Sequence, residues 1–367
     1  MFTTRRFAPQ AATLLLAGLT LFSSCKNDDD ATTETTAPSS YNFENASYSG
    51  QTIRLKQLDV LTAEMKSANT AGVVLSEDKL LAIYSGDSAQ FDFDTDGKNL
   101  SSKTETEGKV IIEDWINKLV QSSIEADTNS SSSTGARQIT STNGDKTYLV
   151  AANGFEYNQM ITKGIMGSVF YYQATSDYLY GLLSDDNTTN LEGKDYTAME
   201  HHFDEAFGYF GAPTTFSSTS TEGAQYHASY SSKGQGAGLN TSDDIMDAFI
   251  KGRFAVSENE MGDLPTYIAA INENWEETIY ASGLHYLKGA QADFSDKALR
   301  CHQLSEAYAF IWSLQFNISK SVTNAQINEV LDLLGDDFFS ISTTDIAAAQ
   351  TKLVEIFAIP TDVVTAL

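Results

Sequence analysis

Residues 155–183 read FEYNQMITKGIMGSVFYYQATSDYLYGLL, and this stretch decides the fold class. It contains no proline and predicts a single helix of about 30 residues. Gly164 and Gly167 lie three residues apart at its centre, and each of them lowers the stability of a helix. That cost is offset where a neighbouring element comes close to the backbone. We therefore expect another helix to pack there, and a ligand is the less favoured occupant.

Helical patterns continue outward on both sides of this stretch. Only 5 prolines occur in the chain, which suits long helices. Residues 127–145 and 212–242 are polar and of low complexity and are interpreted as loops, and no segment shows the period-two alternation of a strand. The predicted fold is all-α, a helical bundle or two stacked bundles, in a domain over 43–359 with possible halves 43–211 and 240–359. The other predicted helices cover 51–68, 76–85, 107–125, 194–210, 242–257, 263–288, 293–319, 323–334 and 343–358.

The first 24 residues have the features of a targeting signal. Arg5 and Arg6 precede an apolar run at 11–22, which is too short to cross a bilayer comfortably. Ser23-Ser24-Cys25 then resembles the lipobox of bacterial lipoproteins, in which the cysteine becomes the lipid-bearing first residue. We therefore expect a signal peptide at 1–24, lipidation of Cys25, and a polar tether over 25–42. An ordinary secretory signal is the alternative.

Residues 26–30, KNDDD, resemble the export signal that places some outer-membrane lipoproteins at the cell surface, and a solvated tether is the other interpretation. The expected location is thus the outer membrane, with the domain exposed at the surface. Without residues 1–24 the chain has 21 basic and 49 acidic residues, a formal charge of −28. Such a charge disfavours nucleic acid and anionic lipid as partners, so membrane contact is expected only through the lipid on Cys25. Cys301 is the second cysteine and has no partner for a disulfide.

Two adjacent histidines, His201 and His202, lie within the predicted helix at 194–210. On a helical wheel His202 and Glu205 share a partly buried face, and His201 borders that face. An imidazole and a carboxylate at this spacing can share a divalent cation such as iron or zinc. The alternative is a buried His–Glu hydrogen bond that joins two helices. The same wheel places Glu200 and Asp204 on the arc that faces solvent.

Further ligands for such a cation would have to come from other helices. The candidates are His302 with Glu306 at the next helical turn, together with His285 and Glu156. His227 lies in the predicted loop 212–242 and is expected to be solvated.

Three segments carry a family resemblance: YNFENASYSGQT at 41–52, KGIMGSVFYYQ at 163–173 and MEHHFDEAFGYFG at 199–211. Together they resemble a family of bacterial surface lipoproteins that share a domain of unknown function. A more distant similarity links His202 and Glu205 to the Gly-x-His-x-x-Glu signature of the iron-regulated, imelysin-like proteins, with Glu200 in place of the glycine. This second resemblance implies an all-α fold and a role connected with metal or haem.

These features favour a non-enzymatic binding lipoprotein linked to iron or haem acquisition, with an outer-membrane transporter as a possible partner. A metallopeptidase that uses His202 and Glu205 is one alternative, although the zinc-protease pattern H-E-x-x-H is absent. A glycan- or protein-binding lipoprotein is the other. Glycan binding would need exposed aromatic platforms, but Trp115, Trp275 and Trp312 all lie in apolar helical patterns and are expected in the core.

Overall fold

A computed structural model describes residues 36–128 and 134–367, and the side chains of 235–237 are left undescribed. The predicted signal peptide, Cys25 and most of the predicted tether lie outside these residues. Residues Ala37–Leu367 form one compact unit. In the described part of the chain, no helix is both long and apolar enough to cross a membrane.

The described residues form twelve α-helices and one small hairpin, which confirms the all-α prediction. A single hydrophobic core draws on residues before position 211 and after position 240 alike. Trp115, Trp275 and Trp312 are all buried in it, so none of the three offers an exposed platform. The helices are α1 (Ser49–Ser67), α2 (Glu77–Tyr84), α3 (Thr106–Thr128), α4 (Tyr157–Ile165), α5 (Ala198–Phe210), α6 (Tyr226–Ser231), α7 (Thr241–Ser257), α8 (Leu264–Ala292), α9 (Lys297–Ser313), α10 (Asn324–Leu334), α11 (Thr343–Phe357) and α12 (Thr361–Ala366).

The long helix predicted at 155–183 is present, but its second half is wound more widely than an α-helix. Two π-helical segments, Met166–Tyr171 and Gln173–Leu179, follow α4 without a break. The two glycines make the expected close contacts. A Cβ on Gly164 would lie 2.8 Å from the side chain of Trp115 on α3, and one on Gly167 would lie 2.8 Å from the Cα of Ser313 on α9. The prediction of helix packing at the glycines is confirmed.

The prediction of a loop at 127–145 was wrong for the second half of that segment, where the first strand of a hairpin forms. Strand β1 (Arg137–Thr140) pairs with β2 (Thr147–Val150) in antiparallel register, with Arg137 opposite Val150. Asn143 and Gly144 turn the chain, and Gly144 has a φ of +81°. Strands of four residues are too short to display a period of two, which explains why the sequence pattern did not show them.

The loop predicted at 212–242 also contains a helix, α6, and the prediction that His227 is solvated was wrong. His227 is fully buried, and its Nε2 donates to the backbone oxygen of Met166 at 3.1 Å. Burial lowers the pKa of His227 to about 4, so the ring is neutral at pH 7. Met166 begins the first π-helical segment, so the histidine satisfies a carbonyl within the widened turn.

Candidate functional site

Helix α5 begins with a capping box formed by Thr197 and Glu200. This cap fixes the residue at which the helix starts and so the direction in which each later side chain points. The Thr197 hydroxyl accepts from the backbone N–H of Glu200 at 3.2 Å, and the Glu200 carboxylate accepts from that of Thr197 at 2.9 Å. Gly211 ends the helix in the left-handed conformation, with a φ of +83°. This defined start sets the two histidines and Glu205 on a partly open side of α5.

The prediction that Glu200 and Asp204 face solvent was wrong, because an arginine from α7 reaches them. Arg253 is fully buried, and its Nε lies 2.9 Å from Asp204 Oδ1 while its Nη1 lies 3.0 Å from Glu200 Oε1. Its Nη2 donates to Asn45 Oδ1 at 2.7 Å. We call these four residues the Arg253 clamp. Burial alone would lower the pKa of Arg253, but the charges of Asp204 and Glu200 raise it above its usual value.

The Arg253 clamp also fastens the segment at 41–48 to the bundle. Tyr41 donates from its hydroxyl to Asp204 Oδ1 at 2.7 Å, and the backbone N–H of Ser47 donates to Asp204 Oδ2 at 3.0 Å. The ring of Tyr41 stacks on Phe207 with centroids 3.7 Å apart. The end of the predicted tether is therefore held against α5 by buried contacts.

His201 has one ring nitrogen committed and the other turned toward a carboxylate. Its Nδ1 lies 3.1 Å from the backbone oxygen of Ser47, which can only accept, so the proton is on Nδ1. In the neutral ring Nε2 then carries a lone pair, and this atom lies 3.8 Å from Glu205 Oε1. Gln51 donates to that same Glu205 oxygen at 2.8 Å and holds it in place. When the His201 ring is neutral, two acceptor atoms therefore face each other, an arrangement that a cation between them would stabilise.

His202 pairs with Asp185. The sequence had suggested Glu205 as its neighbour. His202 Nδ1 lies 2.7 Å from Asp185 Oδ2, so its Nε2 also carries a lone pair at pH values where the ring is neutral. Asp185 follows the short 3₁₀ turn Leu182–Ser184, and only the tertiary fold brings it to α5. The name histidine face is used below for His201, His202, Glu205 and Asp185.

Aromatic rings flank the histidine face on both sides. Tyr196 stacks on His201 with centroids 4.8 Å apart, and Tyr178 stacks on His202 at 5.5 Å. The His202 side chain is 38% exposed and that of His201 26%, so solvent reaches both rings. The face is thus ordered by packing and remains accessible.

The histidine face carries two carboxylates that have no Lys or Arg ion-pair partner among the described residues. In that part of the chain, however, no three His, Cys, Asp or Glu side chains are grouped so that they could hold a metal ion. Zn²⁺ at about 2.1 Å from both His201 Nε2 and Glu205 Oε1, which lie 3.8 Å apart, would bind them at an angle of roughly 130°. The face can therefore supply two ligands as it stands, and water would have to supply the others.

The candidates His302 and Glu306 form a separate cluster with Glu156 and Lys163, which we call the α9 network. His302 Nδ1 lies 2.6 Å from Glu156 Oε2, and Lys163 Nζ lies 2.8 Å from Glu306 Oε1. Burial would lower the pKa of His302, but the hydrogen bond and charge of Glu156, with Glu306, raise it. Burial would likewise raise the pKa of Glu306, but Lys163 and His302 lower it. Two acids and two bases neutralise one another, which leaves little charge to attract a metal ion.

The α9 network cannot complete the histidine face. Glu156 immediately precedes α4, whereas Tyr178 stacks on His202 near the other end of the same long helix. The difference of 22 in residue number between Glu156 and Tyr178 corresponds to roughly 30 Å along the helix. His285 is also elsewhere, since its Nδ1 lies 3.1 Å from the backbone oxygen of Leu367. The structure therefore brings together His201 and Glu205 and adds Asp185 to His202, whereas His302, Glu306 and His285 lie elsewhere in the fold.

Comparison with known proteins gives a family. The family described as "Domain of unknown function (DUF4856)" matches residues 38–356. No curated protein and no solved structure matches the chain significantly. The match begins just before Tyr41, which contacts the Arg253 clamp, and extends into α11. This chain belongs to the DUF4856 family.

Proposed function

We propose that this protein is a lipid-anchored binding protein of the bacterial outer membrane, exposed at the surface, that takes up a divalent metal ion, iron or zinc, at the histidine face. The anchor is supported by the order of charge, apolar run and Cys25 in the sequence. A net charge of −28 without residues 1–24 would concentrate cations near the domain. In this role the protein would serve metal acquisition and pass its ligand to a membrane transporter.

The observation that carries the metal proposal is the orientation of the two imidazoles. Both His201 and His202 direct Nδ1 to an acceptor, a backbone oxygen in one case and a carboxylate in the other. Metal-binding histidines usually donate their second ring N–H in this manner, which fixes the tautomer and makes the other nitrogen a better ligand. Each histidine thus presents Nε2 as a candidate ligand, and Glu205 lies beside one of them.

Charge and access distinguish the histidine face from the α9 network. The carboxylates of Asp185 and Glu205 together carry the charge that a divalent ion would neutralise, and no basic side chain among the described residues pairs with them. In the α9 network Lys163 already occupies this role. The face is also partly exposed, so that an ion could enter and leave without unfolding.

The test is isothermal titration calorimetry of the metal-free protein with Zn²⁺ and with Fe²⁺ under anaerobic conditions. We expect one site in the wild type, strong loss of affinity in His201→Ala and Glu205→Ala, and a smaller loss in His202→Ala. Asp114→Ala removes an exposed carboxylate on α3 and should bind as the wild type does. Equal binding by all four variants, or none by the wild type, would refute the metal site.

The anchor is tested separately, because its failure would leave the metal site untouched. Cells that produce the wild type should incorporate labelled palmitate into the protein and keep it in the membrane fraction, whereas Cys25→Ser should release it. Protease added to intact cells should digest the wild-type domain if it is exposed at the surface. Retention of the serine variant in the membrane would count against a lipid anchor.

The structure gives no support to a metallopeptidase. A catalytic zinc site needs three protein ligands and an open position for water, and no such group of three occurs among the described residues. We therefore favour binding over hydrolysis.

A further inference from the structure

An open cleft of about 450 Å³ lies between the C-terminal end of the long helix, the first half of α8 and the loop at 317–323, and we call it the α8 cleft. Tyr180 and Leu183 reach it from the long helix and the turn after it, and Ile268 and Ala269 reach it from α8. Its volume is in the range of pockets that bind small molecules. The α8 cleft therefore has room for an organic ligand.

The walls of the α8 cleft include large apolar side chains that remain in contact with solvent. Tyr180 is 63% exposed and Leu183 is 54% exposed. Ile318 is also exposed, and the residue after it, Ser319, lines the cleft. Eight large apolar residues are exposed in the described part of the chain, so three of them lie at or beside this one cleft. Apolar surface that is gathered in this way is typical of a binding site.

Two carboxylates line the same cleft. Glu276 is 6% exposed, and its two oxygens accept from the backbone N–H of Ser321 at 2.9 and 3.2 Å. Glu273 lies one helical turn earlier and is exposed. Neither carboxylate forms an ion pair with a basic side chain among the described residues. Lys320 is near enough for its charge to act on Glu276, but it donates to the backbone oxygen of Asn317.

The two carboxylates disfavour each other's charge. Burial raises the pKa of Glu276, and the charge of Glu273 raises it further. The hydrogen bonds from Ser321 and the charge of Lys320 act in the opposite direction without cancelling this rise. Exposed carboxylates are common in so acidic a chain, but a buried carboxylate without a cation is costly. A cation in the α8 cleft would remove that cost, and no Lys, Arg or His is found among the described residues that line it.

We propose that the α8 cleft binds a small organic cation, in which an ammonium group is carried on an aromatic or aliphatic body. The ammonium contacts Glu273 and Glu276, and the body packs against Tyr180 and Leu183. Both carboxylates come from α8, whereas the most exposed apolar side chains come from the long helix and the turn after it. The cleft thus favours a molecule that is charged at one end only.

The α8 cleft is independent of the histidine face. It needs no metal ion, and its residues differ from those of the face. Binding is therefore measured on the metal-free protein, so each of the two proposals can fail without the other.

The probe is tryptamine, and two related molecules separate the contributions of charge and of apolar contact. Indole-3-propionate has the same body with a carboxylate, and ethylammonium has the charge without the ring. Binding to the full mature protein is measured by ligand-observed NMR titration. We expect tryptamine to bind with a Kd of about 1 mM and the other two to bind at least about tenfold more weakly.

Substitution of the two carboxylates tests the recognition of the ammonium. Glu276→Gln keeps an acceptor for Ser321 and should weaken tryptamine binding about tenfold. Glu273→Gln should weaken it about threefold, because an exposed ion pair contributes less. Glu222→Gln removes an exposed carboxylate outside the cleft and should have no effect. Glu273→Lys should reverse the preference, so that indole-3-propionate binds more tightly than tryptamine. A purely structural role of Glu273 would not produce that reversal.

Substitution of the exposed ring tests the apolar wall. Tyr180→Ser should weaken tryptamine binding about fivefold. Val110→Ser removes an equally exposed apolar side chain from α3 and should bind tryptamine as the wild type does. Circular-dichroism melting confirms that each variant is folded, and Glu273→Lys decides the question of charge if Glu276→Gln is not.

Four results would overturn the proposal. These are no binding of tryptamine by the wild type, equal binding of tryptamine and either related molecule, an unchanged preference in Glu273→Lys, and an unchanged affinity in Tyr180→Ser.

Discussion

Replacing Arg253 by methionine is expected to lower the free energy of unfolding by about 3–5 kcal/mol, because it leaves two buried carboxylates without their cation. Asp204 is fully buried and Glu200 nearly so. Asp204 would keep its bonds from Tyr41 and Ser47, which limits the loss. For a unit of about 330 residues, an unfolding entropy of about 0.7 kcal/mol/K converts this change into a fall in Tm of about 4–7 °C.

The assay is calorimetric or circular-dichroism melting, with chemical denaturation as a second measurement. Lys251→Met on the same helix is the matched control, since its side chain is 46% exposed and should change stability by less than about 0.5 kcal/mol. Adding Asp204→Asn to Arg253→Met removes one stranded charge, so the double variant should be less destabilised than the sum of the two single variants. Strict additivity, or a loss below about 1 kcal/mol in Arg253→Met, would refute the reasoning.

Three further outcomes are expected. Gly167→Ala should destabilise the protein by about 1–3 kcal/mol in denaturant melts, because its Cβ would meet Ser313, whereas Gly181→Ala has open space and should cost nothing. His227 has a pKa of about 4 when folded and about 6.5 when unfolded, so the unfolded chain takes up the proton first and stability falls as pH decreases. Wild type should thus lose about 2–3 kcal/mol more than His227→Gln between pH 7 and 4.5, and equal losses would contradict this. Burial raises the pKa of Cys301 to about 12, so iodoacetamide should label it at pH 8 only after denaturation.

The helices could be predicted because their signals are local. Apolar spacing, capping residues and the scarcity of proline indicated nearly every long helix to within a few residues of its ends. The two wrong loop predictions share a physical cause. The hairpin strands are too short to show a period, and α6 is held by contacts of His227 and its neighbours rather than by an apolar stripe.

The candidate site was harder to predict because it depends on groups that are remote in sequence. The sequence around α5 gives no sign of Arg253, which lies 49 residues after Asp204. The carboxylates of Glu200 and Asp204, which are buried, were therefore predicted to face solvent. Asp185, the partner of His202, comes from the turn after the long helix. A helical wheel uses only the residues of one helix and takes no account of the neighbouring elements. It cannot show which charge another helix will bring.

The π-helical winding of residues 166–179 has a consequence for changes in chain length. Each π-turn contains one residue more than an α-turn, so the deletion of one residue here could be absorbed by a return to α-helical winding. The residues before and after the deletion would then keep their positions, and Tyr178 would still stack on His202. Relatives could therefore differ by one residue at this point while Tyr178 beside the histidine face and Glu156 and Lys163 in the α9 network all keep their positions.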